Sequence, residues 1–237
     1  MQNIRFVMLF AFAIGMFPLC AHATENLDAK SRIKAIKFQK AVSQMNRLKP
    51  MQNPRYEKSQ NILNRRILDN KNKVIGGLQD VILDPNGSVS SLHVAFDRLH
   101  LGTAVFLNYD VLEIGSVSKG YRLGLNGDEI EVLYPSLLSE IQPAAGGDLG
   151  LQSVKDILGS TLVTSNGQRI GKLGDVLFDQ NGSFVRSAYL KINFRTIRDK
   201  GVAVPYNILK FEVKNGKMQT IIPQGFADLI ISHAEKG

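Results

Sequence analysis

The sequence predicts a mainly β protein in which two small tandem antiparallel β domains follow a basic amphipathic helix. Three observations predict this fold. The segment VIGGLQDVILDPNGS (74–88) recurs ninety-five positions later as RIGKLGDVLFDQNGS (169–183). Asn-Gly, the dipeptide that best tolerates the positive φ angles of a tight hairpin, occurs five times. Apolar and polar residues alternate beside the repeats, as they do in half-buried strands.

The strands are predicted from this alternation. In SSLHVAF (90–96) the odd-numbered neighbours of the apolar residues are polar or small, and SAYLKI (187–192) has the same pattern. Two further alternating stretches surround Glu113 and Lys210. The apolar members of the four predicted strands are Leu92, Val94 and Phe96; Ala188, Leu190 and Ile192; Leu112 and Ile114; and Leu209, Phe211 and Val213.

The repeated segment predicts a hairpin in each copy, with a structural role. We expect the carboxylates of Asp84 and Asp179 to accept hydrogen bonds from turn amides. A calcium loop is the alternative, but its sixth-position glycine and twelfth-position glutamate are missing. Gly76 and Gly171 predict a bulge or a close approach of strands. The predicted structural-turn residues are Asp80, Asp84, Asn86, Gly87, Asp175, Asp179, Asn181 and Gly182.

The N-terminus predicts export. Arg5 precedes an apolar run, and the small-residue triplet ending at Ala23 is typical of a signal-peptide cleavage site. We therefore predict a signal peptide at 1–23 and a periplasmic or secreted protein. A signal peptide retained as an anchor is the alternative, although the run is shorter than a membrane span of about 20 residues. Cleavage would remove Cys20, the chain's one cysteine, so disulfides cannot stabilise the mature fold.

The basic charge is concentrated in an arm at 24–60. Residues 24–66 contain eleven Lys and Arg against three acids, whereas 67–237 contain seventeen against eighteen. Asp28 and Pro50 are the predicted cap and stop of an arm helix, and Met51–Arg66 is predicted as a linker. An apolar stripe is predicted at Ile33, Ile36, Ala41, Met45 and Leu48, widened by Phe38 and Val42. The predicted surface-binding residues are Lys30, Arg32, Lys34, Lys37, Lys40 and Arg47.

Such a helix has alternative roles. It can lie on an anionic surface, such as lipid headgroups or an acidic partner, or it can pack on its own β domain or stay partly disordered. The domains are predicted at 61–134 and 156–237, with an interdomain linker at 135–155.

The repeats resemble the PRC-barrel family. The resemblance rests on IGGLQDVILDPNGSV followed by NYDVLEI in copy one, and on IGKLGDVLFDQNGSF followed by AVPYNILKF in copy two. Copy two has the family's Val-Pro-aromatic element at Val204, Pro205 and Tyr206, where copy one has Leu107, Asn108 and Tyr109. The resemblance implies a small, strongly bent antiparallel sheet that serves as an interaction module for other macromolecules. It carries no catalytic residues over to this chain.

The residues themselves indicate no reaction chemistry. There is no GxSxG elbow, and Lys119 precedes its glycine, unlike the lysine of a phosphate loop. Glu129 and Glu131 are predicted on a solvated strand edge. His93 and His100 are predicted as exposed strand histidines, with a metal pair as the alternative. Aromatic residues are scarce among the basic residues of the arm, which disfavours nucleic-acid binding.

We therefore expect a non-enzymatic exported binding or scaffold protein without a cofactor or metal. It would dock a protein partner at the cell envelope, with the arm on an anionic membrane surface. The alternative is a binder of a small molecule or polymer, or, less favoured, a cell-envelope enzyme, that uses a cleft between the two barrels. Neither the partner nor the oligomeric state follows from the sequence.

Overall fold

The structure is a computed structural model that describes residues 29–236 except 111, 118–119 and 140–149. The predicted signal peptide, the Asp28 cap, Lys119 and most of the predicted interdomain linker lie outside the described residues. The predicted fold class is confirmed, because the chain is mainly β, with two curled sheets behind an N-terminal helix. Among the described residues, no helix is long and apolar enough to cross a membrane.

The described part of the chain begins with a long helix and two short elements, followed by two strand-rich halves that each end near a helix. The elements are α1 (Ala29–Arg47), β1 (Glu57–Lys58), α2 (Ser59–Leu63), β2 (Arg66–Leu68), β3 (Val74–Leu83), β4 (Val89–Ala95), β5 (Val105–Asn108), β6 (Gly115–Val117), β7 (Gly120–Arg122), α3 (Gly127–Ser139), β8 (Gln152–Ser153), α4 (Val154–Ile157), β9 (Thr161–Thr164), β10 (Arg169–Phe178), β11 (Val185–Phe194), β12 (Ile197–Val204), β13 (Lys210–Lys214), β14 (Lys217–Ile222) and α5 (Gln224–Lys236).

The two sheets have the same strand order. The first sheet runs β5-β4-β3-β2-β7-β6, and the second sheet runs β12-β11-β10-β9-β14-β13. All neighbours are antiparallel except β2 with β7 and β9 with β14, which are parallel. The sheets are therefore antiparallel, as predicted, except at one pair in each. In each sheet the last strand lies beside the first, so β7 pairs with β2 and β14 pairs with β9. The connection that leads back to the first strand sets this parallel direction.

Each sheet also receives a two-residue strand from the chain segment that precedes the other sheet. Strand β1 pairs with β10 of the second sheet, and β8 pairs with β3 of the first sheet. The prediction of a linker at 51–66 is therefore wrong, because this stretch contains β1 and α2. The two sheets are held together by exchanged elements, and their buried side chains form one core cluster.

The alternation correctly predicts the buried sides of β4 and β11. Leu92 and Val94 are buried in β4, as are Leu190 and Ile192 in β11, and all four have 0% exposure. Four of the five Asn-Gly pairs lie in hairpins. Asn215 and Gly216 show the expected pair of positive φ angles, 53° and 70°.

Two local predictions are wrong. Asn126 begins helix α3, because its side chain accepts from the Glu129 amide while the Glu129 carboxylate accepts from the Asn126 amide, a reciprocal capping box. Glu129 and Glu131 therefore lie on a helix and not on a strand edge. The stretch around Glu113 is a turn, in which the φ angle of Glu113 is 47°. Hydrogen bonds from 112 to 108 and from 114 to 109 close this turn.

Candidate functional site

The turn of the first sheet is closed by its aspartate. The Asp84 carboxylate accepts hydrogen bonds from the amides of Asn86 and Ser88, both at 2.8 Å. Gly87 has a φ of 96°, in the region that glycine adopts without strain. This geometry gives Asp84, Asn86 and Gly87 a turn-forming role.

The turn of the second sheet has the same construction. Asp179 accepts from the amides of Ser183 at 3.0 Å and Phe184 at 3.3 Å. Gly182 has a φ of 72°. Asn181 precedes it, as Asn86 precedes the glycine of the first turn. Each aspartate therefore accepts hydrogen bonds from backbone amides of its own turn, and Asp179 also accepts one from the Ser183 hydroxyl.

The two turns lie against each other where the sheets meet. The Val89 amide donates to the Ser183 carbonyl at 3.0 Å, and the Val185 amide donates to the Gly87 carbonyl at 2.7 Å. These bonds surround an isolated antiparallel bridge between the two loops. The repeated segment therefore reverses the chain twice and also joins the two copies to each other.

A tyrosine of the first sheet supports the second turn. The fully buried Tyr121 hydroxyl donates to the Gly182 carbonyl at 2.6 Å. The Arg65 guanidinium lies 5.3 Å from the centroid of this ring and donates to the carbonyls of Asn181 at 2.7 Å and Gln180 at 3.2 Å. Burial raises the pKa of the Tyr121 hydroxyl far above its usual range, and nearby Arg65 opposes this shift.

Tyr206, in a 3-10 turn that follows β12, packs on the first turn without a hydrogen bond to it. A Cβ added to Gly87 would lie 3.0 Å from a ring carbon of Tyr206. The Tyr206 hydroxyl is buried and makes no hydrogen bond with the described residues. Burial raises its pKa far above the usual range, and the Asp84 charge adds to the shift. Each tyrosine thus packs on the turn of the other sheet, but of the two only Tyr121 donates a hydrogen bond to that turn.

The remaining predicted turn aspartates, Asp80 and Asp175, lie inside strands β3 and β10 and not in turns, which corrects their assignment. Each is buried at a bulge and binds the segment that enters from the other copy. Asp80 accepts from the Ser153 hydroxyl and from the Lys155 amide at 3.2 Å. Asp175 accepts from the Ser59 hydroxyl and from the Ser59 amide at 3.1 Å. These carboxylates anchor the exchanged elements.

The predicted turn residues do not converge on an ion site. Across the described ranges, no three His, Cys, Asp or Glu side chains are grouped closely enough to hold a metal. The oxygens of Asp84 and Asp179 face amides, which are donors and not ligands. The geometry of the repeated segment matches a pair of linked hairpins.

The two strand-region histidines occupy different environments. His93 is half-buried in β4, and its ring stacks on Phe106 with a centroid distance of 4.3 Å. Burial lowers the pKa of His93, nearby Asp80 counteracts that shift, and Lys155 adds to it. His100 is exposed and ends a 3-10 turn with a φ of 57°. The prediction of exposed strand histidines is therefore wrong for His93, and His100 lies beyond the strand.

Helix α1 packs on the second sheet. Phe38 and Val42 are buried, and the Phe38 ring lies 4.3 Å from that of Phe226 in α5. The Asn46 amide donates to the Ala203 carbonyl at 2.9 Å and accepts from the Ala203 amide at 2.9 Å. Asn46 thus satisfies both backbone groups on the free edge of β12, as a neighbouring strand would. Of the three alternatives for the arm, packing on its own domain is observed.

The outward face of α1 differs from the predicted stripe. Ile33 and Ile36 are 52% and 66% exposed, because the buried side follows Ala35, Phe38 and Val42 at spacings of three and four. The predicted stripe is therefore divided, because Phe38 and Val42 are buried whereas Ile33, Ile36 and Leu48 are exposed. The predicted surface-binding cations are all exposed: Lys30, Arg32, Lys34, Lys37, Lys40 and Arg47.

Each sheet also has a basic groove beside the glycine at which two strands approach closely. A Cβ on Gly76 would lie 2.3 Å from the Ala95 carbonyl oxygen, and one on Gly171 would lie 2.1 Å from that of Lys191, which confirms the predicted close approach. Three cations and one acid line each groove. They are Arg66, Lys73, Arg98 and Asp97 in the first sheet and Arg169, Lys172, Lys191 and Asp199 in the second.

Sequence reasoning missed the exchanged elements. Ser59 and Ser153 make the main side-chain contacts of these elements with the strand aspartates, and neither contact was predicted. The signal that could have found one of them is the capping pattern SVKD, in which Ser153 accepts from the Asp156 amide at 3.1 Å. Strand β1, Glu57–Lys58, has no periodicity that could have revealed it.

Comparison with known proteins identifies one family in one part of the chain. Residues 151–226 match the PRC-barrel domain. The match covers β8 to β14 and the start of α5, so the resemblance is confirmed for the second copy. A comparison with curated proteins finds no match to this chain.

Proposed function

We propose that this protein is a non-enzymatic exported scaffold that docks a macromolecular partner at the cell envelope and rests on an anionic surface through α1. The observation that carries the proposal is the outward face of α1. Its other face is already used for packing on the second sheet, yet Ile33 and Ile36 remain exposed among lysines. An apolar pair within a basic helical face fits a layer of anionic headgroups above acyl chains.

The spacing of that face supports the proposal. Ile33 and Ile36 are three residues apart. Lys37 follows Ile33 by four residues and Lys40 follows Ile36 by four, so the four side chains lie on one side of the helix. The aliphatic lysine stems can extend beside the isoleucines while their ammonium groups reach phosphates. Because Asn46 and Phe38 fix the helix on the second sheet, this face is held in place before any surface is met.

The shared strand order supports a tandem architecture. We propose that the first sheet is a diverged second PRC-barrel copy, since its strand order, parallel pair and turn construction repeat those of the second sheet. Members of this family serve as interaction modules, which is consistent with a scaffold. Export rests on the signal peptide predicted at 1–23, with final location in the periplasm or outside the cell. Determining the mature N-terminus by mass spectrometry tests this prediction.

The contacts of the buried carboxylates favour a scaffold over an enzyme. Asp80 and Asp175 are engaged by serines and backbone amides of the exchanged segments, and Asp84 and Asp179 close turns. The junction of the sheets is occupied by Tyr121 and by the paired turns, which disfavours the alternative of a ligand cleft there. A thermal-shift screen with small metabolites checks that alternative, because a specific ligand would raise the melting temperature.

Vesicle sedimentation tests the role of α1. A chain beginning at Thr24 should bind vesicles containing phosphatidylglycerol and should bind neutral phosphatidylcholine vesicles far less. Ile33→Gln with Ile36→Gln should weaken the anionic binding about 30-fold, since each substitution loses part of a buried side chain's transfer energy, about 1 kcal/mol. The matched control is Val132→Gln with Leu138→Gln, which alters two exposed apolar residues of α3. No binding by the parent chain, or equal losses in both variants, would refute the proposal.

A further inference from the structure

A pair of lysines faces each other on the outer side of the second sheet. Lys172 of β10 and Lys191 of β11 are direct cross-strand partners, and both are exposed. Like charges in this arrangement repel and lower stability. A carbon of the Lys191 side chain also lies 3.0 Å from where a Cβ on Gly174 would be, so the Lys191 stem crosses that glycine. The two lysine side chains are thus presented on the same strand surface.

The first sheet has no charge at the corresponding positions. The Lys172 and Lys191 pair corresponds to Gly77 and Ala95, which are partners in β3 and β4. The first-sheet groove obtains its cations elsewhere, from Arg66 of β2 and from Lys73 and Arg98 in loops. The lysine pair is therefore a particular feature of the copy on which α1 packs.

The lysine pair is continuous with the end of α1. Lys191 pairs with Gly201 of β12, and Gly201 lines one groove together with Tyr189 and with Lys49, which lies just beyond the end of α1. Asp199 is the acid within this group and offsets one charge. The basic face is defined here as Lys49, Arg169, Lys172 and Lys191.

We propose that the basic face lies on the same anionic phospholipid surface as α1. This inference rests on the proposed function and adds an orientation to it, with the second sheet against the headgroups and the first sheet left available to a protein partner. Charge complementarity selects the occupant, because the lysine pair and its neighbours offer several cations and no large apolar side chain. The exposed isoleucines of α1 supply the apolar contact that a soluble polyanion would not use.

Lys172→Gln with Lys191→Gln tests this orientation in the chain beginning at Thr24. A lysine near an anionic surface contributes about fivefold in affinity, so the double variant should bind phosphatidylglycerol vesicles about 25-fold more weakly and with a smaller salt dependence. Lys214→Gln with Lys217→Gln is the control. These lysines are also exposed cross-strand partners, but they belong to the hairpin at the other end of the strand order. The control should stay within about twofold of the parent.

The outcomes separate the two proposals. Equal binding by the lysine variant and its control, with weaker binding by the isoleucine variant, overturns the orientation and leaves the role of α1 intact. Absence of parent binding refutes both. A third arm uses soluble polyphosphate: binding to it that depends on Lys172 and Lys191, with unchanged vesicle binding, would also overturn the lipid assignment.

Site-directed labels give an independent readout. The chain's single cysteine is Cys20, so a chain from Thr24 has none and accepts one label at a chosen site. A spin label at Asn193→Cys, within the second-sheet groove, should lose accessibility to a water-soluble relaxing agent when anionic vesicles are added. A label at Gln79→Cys, exposed on β3 of the first sheet, should retain it. Equal protection of both labels would contradict the orientation.

Discussion

The first and second sheets share a strand order but differ in what surrounds them. The ranges 61–134 and 156–237 carry seven basic against nine acidic residues and eleven against seven, so their net charges are −2 and +4. The second sheet packs against α1 and α5, whereas the acidic start of α3 belongs to the first half. The shared features are turns, glycines and buried strands, and the differences are surface features. This division indicates that the shared features maintain the fold, and our proposal assigns surface binding to the unshared ones.

Substitutions at the close approach of strands, at Gly76 and Gly171, should have the largest effect on stability. They test whether the two sheets are equivalent. Gly76→Ala and Gly171→Ala each place a Cβ against a carbonyl oxygen, and each should lower the free energy of unfolding by about 3 kcal/mol. Urea denaturation followed by circular dichroism measures this change. Gly77→Ala is the control, because nothing lies within 4 Å of its added Cβ. A large effect at only one of the two glycines would break the equivalence.

The exchanged elements should make the two sheets unfold together. Asp80→Asn and Asp175→Asn each weaken the anchoring of a segment from the other copy, and each should cost about 2 kcal/mol. A single transition should persist in both variants, because each anchor joins both sheets.

A double-mutant cycle sharpens this test. Ser59→Ala combined with Asp175→Asn should show a coupling energy of about 1 kcal/mol, since the two side chains contact each other. Asp97→Asn is an exposed control and should have almost no effect. Two separate unfolding transitions in the parent chain would show that the halves are independent, contrary to this expectation.

The sequence predicts the parts of this fold that are determined locally. Hairpin turns depend on Asn-Gly and a neighbouring aspartate, and strand faces depend on alternation, so Asp84, Leu92 and Leu190 were all assigned the correct role from the pattern. The basic residues of α1 were likewise predicted to be exposed. These features depend on a few adjacent residues and therefore leave a trace in the sequence.

The parts that were missed depend on contacts between distant residues. Helix α1 has apolar residues on both sides, and its contacts with β12 and α5, including that with Phe226, select Phe38 over Ile36 for burial. Strand β1 is two residues long, and its pairing is set by β10 far along the chain. The lysine pair was missed for the same reason, because the register that places Lys172 opposite Lys191 includes a bulge.

The junction tyrosines test the asymmetry between the copies at a smaller scale. Tyr121→Phe removes the hydroxyl that donates to Gly182 and should cost about 1 kcal/mol, because it leaves a buried carbonyl with one fewer donor. Tyr206→Phe removes a buried hydroxyl that makes no hydrogen bond with the described residues, so it should be neutral or slightly stabilising. Thermal and urea denaturation of the two variants measures the difference. Equal losses would mean that the two contacts are equivalent after all.

The smallest expected effect concerns His93, which occupies the place that Tyr189 has in the second sheet, opposite the buried strand aspartate. Burial lowers the pKa of His93 in the folded protein, so the folded state binds this proton less readily than the unfolded state. The contribution to stability is therefore complete above the unfolded value of 6.5 and is lost as pH falls below it. Urea denaturation between pH 8 and pH 5 should show a shallower loss of stability in His93→Tyr than in the parent, while His100→Tyr should behave like the parent. An unchanged slope in His93→Tyr would mean that the two strand positions are electrostatically alike and that the sheets differ only in their outer charges.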